Sequence, residues 1–323
     1  MLKNLLEVKN LSIVFKKNNN YIKAVTDVSY QINPSEIVGL VGESGCGKTV
    51  SAMAILGLLP KINCNITGKI FFDNKDLLQM DYHEIRKIRG SKISMIFQEP
   101  TTFLNPVLTV GKQISESLIL HLKINASSAK EETIKLLNLV GIKGAENRFN
   151  NYPHQFSGGM RQRIMIAMAL SCKPRLIIAD EPTTALDVTI QHQILELISK
   201  ISKQYGVSII LITHNLGIVA RYADRVIVMY SGSIVETGDV NDIFYHSKHP
   251  YTRSLLNTIP RIDSTDYKSL LSVIDGQPPD QFNLPNGCNF SERCKYVTKE
   301  CLSSKPDLKL AGNSHSYACW NSL

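Results

Sequence analysis

No apolar run in this chain approaches the roughly 18 residues that a membrane-spanning helix requires. The longest candidates, such as residues 52–59, are short and flanked by polar residues. A secretory signal is also missing, because Glu7 and Lys9 interrupt any hydrophobic stretch at the N-terminus. These absences predict a protein that stays in the cytosol and reaches a membrane only through partners. Long basic blocks are absent too. The formal net charge is +8, but the cations are scattered. That pattern suits work beside anionic lipid head groups and argues against nucleic acid as a partner. Seven cysteines are present, an odd number, and disulfides are not expected in a cytosolic chain. None of the last four belongs to a tight C-x2–4-C pair of the kind that grips a single zinc ion from a hairpin.

What is present is enough for one large domain with a smaller attachment: 323 residues, 43% hydrophobic and 20% charged. Residues 5–15 and 28–41 read as strands, with β-branched residues bounded by Asn, Gly and Pro. A helix is expected from about Lys48 to Leu59, closed by Pro60. Residues 109–171 look mostly helical, and 174–230 alternate strand and helix. In that second stretch Ile190, Ile194, Leu197, Ile198 and Ile201 mark one helix face. The alternation predicts an α/β fold with a parallel sheet covered by helices. After about residue 260 Ser, Asp, Pro, Asn and Gly become frequent, which reads as a linker into a small irregular module.

Gly42-Glu43-Ser44-Gly45-Cys46-Gly47-Lys48-Thr49 fits the phosphate-loop pattern G-x-x-x-x-G-K-S/T, between an expected strand and an expected helix. Glycines let successive N–H groups turn toward phosphate oxygens, and the following helix adds its dipole. Lys48 is placed to reach the terminal phosphates, and the Thr49 hydroxyl to ligate Mg²⁺. Cys46 fills a variable position through its backbone and is given no catalytic role. Only one such loop exists and no internal repeat is visible, which excludes two fused ATPase domains. The strand ending at Ala179 runs into Asp180-Glu181. Carboxylates at the C-terminal end of a strand lie beside the phosphate loop in an open α/β sheet. Asp180 would hold Mg²⁺ through water, and Glu181 would polarise the attacking water as general base.

Phe156-Ser157-Gly158-Gly159-Met160-Arg161-Gln162 offers a second anion site, a serine and two glycines opening a helix. One nucleotide does not need two such sites in one protein. The segment resembles the signature of ABC ATPases, which contacts the γ-phosphate bound to the opposite subunit. The resemblance covers residues 5–260 with the motifs in the family's order. It implies a P-loop NTPase fold with a helical subdomain at about 100–172 and an antiparallel β-subdomain, within an ATPase domain spanning 1–260. It makes Gln98 the Q-loop glutamine, touching Mg²⁺ and the attacking water. Ala185-Leu186-Asp187 becomes the D-loop at the dimer interface, and His214 the γ-phosphate sensor. Asn215 follows where many relatives have Asp. Phe15 falls where the family stacks an aromatic on adenine, with Tyr21 as a competing choice.

A narrower resemblance follows. Phe97-Gln98-Glu99-Pro100, continuing to Leu104-Asn105-Pro106, and His249-Pro250-Tyr251-Thr252-Arg253 are similar to the dipeptide, oligopeptide and nickel importer branch. This implies an ATP-hydrolysing subunit at the cytoplasmic face of a bacterial inner membrane. Its partners would be a second ATPase subunit, two permeases and, through them, an extracytoplasmic binding protein. The rival readings are a soluble ABC ATPase acting on nucleic acid or ribosomes, and a nickel or metal-chelate importer. The extension, 261–323, holds Cys288, Cys294, Cys301 and Cys319, separated by five, six and seventeen residues. Four thiolates in one breaker-rich segment suggest a metal staple. The branch is associated with 4Fe–4S clusters, whose ligands can sit farther apart than those of zinc. Zinc and four unrelated thiols stay open as alternatives. Arg293, beside Cys294, is expected to offset cluster charge.

Overall fold

The computed structural model describes residues 4–18, 20–184, 186–258, 274–312 and 314–323. The expected linker after residue 260 falls largely in 259–273, and Ala185 of the expected D-loop is also outside the described residues. The chain divides into two compact units: Met1–Ile32, Val38–Leu78 and Ile212–Leu323 form the first, Asn33–Ile37 and Gln79–Leu211 the second.

The chain starts with an antiparallel hairpin, β1 (Leu6–Lys17) and β2 (Asn20–Ile32). Next comes β3 (Ile37–Val41), buried at every position, as a short continuous apolar run in a parallel sheet should be. It leads through the glycine-rich loop into α1 (Lys48–Ile55). After α1, β4 (Cys64–Phe72) returns to pair with β1, and a short β5 (Lys75–Asp76) completes an antiparallel sheet of order β2-β1-β4-β5.

In the second unit α2 (Tyr82–Ile88) opens on a capping box, Asp81 accepting from the Glu84 amide while Glu84 reaches back. After β6 (Ile93–Ile96) the chain is mostly helical: α3 (Pro100–Phe103), α4 (Val110–Leu122), α5 (Ala126–Leu139), α6 (Ala145–Arg148) and α7 (Gly158–Leu170). It then forms β7 (Leu176–Asp180), α8 (Val188–Tyr205) and β8 (Ser208–Thr213). β7 pairs with β6 in parallel, and β8 flanks it on the other side. Both β7 and β8 are buried throughout. On α8 the inward face is Ile194, Leu195, Ile198 and Ile201. Leu195, and not the expected Leu197, flanks that face, so the buried stripe is rotated toward Leu195 while the 3.6-residue period holds.

The first unit resumes with α9 (Leu216–Tyr222), β9 (Arg225–Tyr230), β10 (Ser233–Asp239), α10 (Val240–His246) and α11 (Pro250–Asn257). The C-terminal stretch adds α12 (Lys299–Ser303), β11 (Lys309–Leu310) and β12 (Ser316–Tyr317). β9 lies parallel to β3, β10 antiparallel to β9, and β12 antiparallel to β10. The extension is thus stitched into the sheet that carries the glycine-rich loop. Its Phe290 sits in one buried cluster with Val41, Val228, Tyr230 and Tyr251. Burying such side chains contributes about 1.5–3 kcal/mol each. A buried carboxylate, Glu236 on β10, fastens the same region: it accepts from the Lys248 and His249 amides and pairs with His315 Nε2 at 2.7 Å.

Candidate active site

In the first unit the loop from Gly42 to Thr49 is shaped by close backbone approach. Gly42 has φ +150°, and a Cβ there would lie 2.2 Å from the Met229 carbonyl oxygen and 2.8 Å from Cys46 Sγ. No side chain fits. Gly47 caps α1, and Lys48 opens it as a buried cation. The Lys48 ammonium donates to the carbonyls of Gly42 at 2.8 Å and Glu43 at 2.9 Å and lies 3.6 Å from Cys46 Sγ. Burial pushes the Cys46 thiol up, against the pull of Lys48. A protonated, buried thiol is a packing group, in line with the backbone role expected for that position. Ser44 and Gly45 are exposed, and Thr49 is half-buried in the first turn of α1.

Sequence reasoning missed what holds the loop from behind. The Glu43 amide donates to Tyr251 Oη at 2.9 Å, so the Tyr of the His-Pro-Tyr motif reaches the phosphate loop directly. Arg293 grips the Glu43 carboxylate with two nitrogens, at 2.7 and 3.0 Å, and Gln281 Nε2 donates to the Gly45 carbonyl at 2.6 Å. The N–H groups of Arg293, expected beside a cluster, go to Glu43, Tyr230 and two backbone carbonyls. Its place beside Cys294 was the signal in the sequence, and the 250-residue gap to its partner hid the pairing.

His214 follows β8 and is exposed. Asn215 caps α9, its side-chain oxygen accepting from the Gly217 amide at 2.9 Å and the Ile218 amide at 3.4 Å. Asn serves that purpose as well as Asp. Phe15 is half-buried on β1, opposite Ile22 and Cys64, whereas Tyr21 on β2 is 58% exposed.

In the second unit Asp180 ends β7 and is buried, with Glu181 directly after it at φ +44°. A non-glycine residue in that conformation stores strain of about 1–3 kcal/mol and is held by its surroundings. Two neighbours hold the side chain: Glu181 Oε2 accepts from Gln98 Nε2 and from Thr184 Oγ1, both at 2.9 Å. Gln98 and Glu181, 83 residues apart, are thereby brought together.

A third group forms on the same unit. Ser157 caps α7, its hydroxyl accepting from the Met160 amide at 3.4 Å, and Gly158 follows it into solvent. A Cβ on Gly158 would touch Leu186 at 3.7 Å, and one on Gly159 would lie 2.7 Å from Ile190 Cγ2. Asp187 caps α8 by accepting from the Ile190 amide at 2.9 Å. The serine–glycine turn and the start of α8 therefore make one surface, on which Val188 is 81% exposed.

The four C-terminal cysteines border one small cavity with His249, Tyr296 and Trp320. Among the described residues no group of three or more His, Cys, Asp or Glu side chains is arranged to hold a metal ion. Burial raises the thiols of Cys288, Cys294 and Cys319, the last to about 11.

Residues 25–184 match the family described as ABC transporter, and residues 235–301 match the C-terminal region of oligopeptide/dipeptide transporters. The dipeptide transport ATP-binding protein DppD of Bacillus subtilis is 50% identical over 98% of this chain and 94% of its own length. This chain belongs to the ABC transporter ATP-binding proteins of the oligopeptide/dipeptide class. The oligopeptide transport ATP-binding protein OppD of Haemophilus influenzae is 45% identical over 98% of this chain and 97% of its own. Among solved structures, the ATP-binding cassette MJ0796, a dimer in a post-hydrolysis state with ADP and Pi, superposes with a TM-score of 0.66 at 28% identity. It covers 73% of this chain and 98% of its own. ABC ATPases of this kind use ATP with Mg²⁺ and work with membrane permeases. No helix among the described residues is long and apolar enough to cross a membrane.

Proposed function

We propose that this ABC ATPase powers the import of dipeptides or oligopeptides across a bacterial cytoplasmic membrane, docked on the cytoplasmic face of two permease subunits fed by a peptide-binding protein. The reading is carried by near-full-length identity to dipeptide and oligopeptide transport ATP-binding proteins, including the C-terminal region of that class. Two ATPase subunits sandwich two ATP molecules, each between one subunit's phosphate loop and the other's signature turn. Gly42, Ser44, Gly45, Cys46 and Gly47 contribute the loop backbone and Lys48 the charge on the phosphates. Thr49, Gln98 and Asp180 would hold Mg²⁺, which would supply charge neutralisation on the phosphates. The Gln98 amide and the Thr184 hydroxyl fix the Glu181 carboxylate as general base for the attacking water. His214 senses the γ-phosphate, and Phe15 stacks on adenine. Ser157, Gly158 and Gly159 address the partner's ATP, with Asp187 at the dimer interface. The exposed, continuous surface of the signature turn and the start of α8 supports that pairing. ATP binds the closed pair better than the open one, and that difference in affinity drives the permeases.

The extension is read as the seat of a 4Fe–4S cluster on Cys288, Cys294, Cys301 and Cys319. The support is local. The sulfurs of Cys288, Cys294 and Cys319 each accept from the amide two residues ahead, at Phe290, Tyr296 and Asn321. Cys301 Sγ lies 3.3 Å from Thr298 Oγ1. N–H donors aimed at sulfur stabilise thiolates and tune clusters, and four thiols around one cavity give each iron its own ligand. The cluster would cross-link the loops of the extension.

The deciding experiment measures uptake of labelled di- and tripeptides by cells in which the Glu181→Gln variant replaces the wild type. Loss of peptide uptake, with nickel uptake unchanged, is expected. Undiminished peptide uptake would overturn the substrate reading.

A further inference from the structure

The second residue of a phosphate loop is chemically free: nothing in phosphate binding calls for a carboxylate there. A negative charge beside a triphosphate is unfavourable unless it is neutralised. Glu43 occupies that position, and its partner comes from the far end of the chain. The Arg293 side chain is 4% exposed, and all five of its N–H donors are used. Nη1 donates to Glu43 Oε2 at 2.7 Å and Tyr230 Oη at 3.2 Å. Nη2 donates to Glu43 Oε1 at 3.0 Å and the Ile274 carbonyl at 3.3 Å, and Nε to the Asp275 carbonyl at 3.0 Å. The guanidinium also lies over the rings of Tyr230 and Phe290, at 5.8 and 5.9 Å.

Glu43 is consequently pinned at three points: its amide by Tyr251, its carboxylate by Arg293, and its carbonyl by Lys48. That carbonyl is one of two that orient the Lys48 ammonium. Gln281 holds the next turn of the loop through Gly45. Gln281 and Arg293 lie in the C-terminal extension, and Tyr251 on α11 directly precedes it. We propose that the C-terminal extension acts on the nucleotide, with Arg293 as a positioning residue that fixes Glu43 and, through its carbonyl, Lys48. Arg293 directly precedes Cys294, so the ligation state of the four thiols and the shape of the phosphate loop are linked through one short segment. This link to ligation rests on the cluster reading above; the positioning of Glu43 does not.

The test uses the full chain and compares ATP affinity, KM and kcat with thermal unfolding. Arg293→Met keeps an unbranched apolar side chain in this buried place and removes the fork. Its ATP Kd and KM should rise about tenfold, the loss of one charge-assisted bond's contribution, with kcat changed far less. Arg293→Lys keeps the charge but cannot fork onto both oxygens, and should raise KM several-fold while folding normally. Glu43→Gln combined with Arg293→Met should be no worse than either single change, because both act through one contact. A lowered unfolding temperature with unchanged KM in both Arg293 variants would overturn the proposal, and so would additive effects of the two changes. The link to ligation is read by removing iron anaerobically with a chelator. ATP should bind several-fold more weakly to stripped wild type, with no further change in Arg293→Met. Equal loss in both proteins would break the link. Iron-free protein as purified would sink the cluster reading alone, because the double-variant comparison still decides the positioning role.

Discussion

Alanine at Gly42 and at Gly45 separates two costs that usually arrive together. Both glycines have positive φ, +150° and +79°, so alanine at either position meets backbone strain. That strain is worth about 1–3 kcal/mol. Gly45 has nothing within 4 Å of its would-be Cβ, so strain is the whole cost there. At Gly42 the Cβ would sit 2.2 Å from the Met229 carbonyl oxygen, a backbone atom of the adjacent β9 that cannot swing aside, and 2.8 Å from Cys46 Sγ. Relieving that overlap means parting the loop from β9, about 1–3 kcal/mol more. Gly42→Ala should therefore lose about 2–6 kcal/mol in urea unfolding, and exceed Gly45→Ala by at least about 1 kcal/mol. Against a total stability of about 5–15 kcal/mol that is a large share. ATP affinity, measured by titration on the same samples, should fall more for Gly42→Ala, because the Gly42 carbonyl orients Lys48. Equal stability of the two variants, or normal ATP binding by Gly42→Ala, would refute the reasoning.

Three further outcomes are expected. Glu181→Gln should leave ATP affinity within about threefold and cut turnover by about 10²–10⁴, the usual contribution of a general base, measured as phosphate release. Burial holds His249 down to about 3 against an ordinary 6.5. The unfolded chain therefore takes up this proton first, and the stability of the neutral imidazole, complete above pH 6.5, drains away as pH falls toward 3. The loss between pH 7 and pH 5 should be about 2 kcal/mol, and His249→Asn should remove it from the urea-unfolding difference between those two pH values; an unchanged difference would exclude His249 as its source. Protein purified anaerobically should carry iron and acid-labile sulfide at about four each per chain, whereas zinc, or no metal, would refute the cluster.

The nucleotide motifs were legible because phosphate chemistry demands particular residue types at short, fixed spacing. Gly42 to Thr49, Asp180-Glu181 and Ser157 to Gly159 could each be read within a window of a few residues. The strands β3, β7 and β8 were legible as apolar runs for a related reason, since burial on both faces leaves no alternation to misread. The antiparallel strand β4 escaped notice: its pattern mixes exposed and buried positions around Gly68. Least legible was the C-terminal extension. Its Pro- and Gly-rich composition reads as a detached module, yet Phe290 is core and β12 pairs with β10. Composition reports local backbone preference, whereas these contacts are tertiary and span most of the chain. The Arg293–Glu43 pair shows the limit clearly, since neither residue belongs to a spacing pattern that would announce the other.

That pairing has a consequence for the nascent chain. Glu43 leaves the ribosome 250 residues before Arg293. At about 5–20 residues per second the interval is roughly 10–50 s. During that time the glycine-rich loop exists without the Arg293 and Gln281 contacts, and β10 has no β12 to pair with. A chain cut short by premature termination within the last thirty or so codons before Arg293 would carry every nucleotide motif and still lack the brace behind them. The phosphate loop of a growing chain therefore gains its Glu43 brace only after Arg293 has been made.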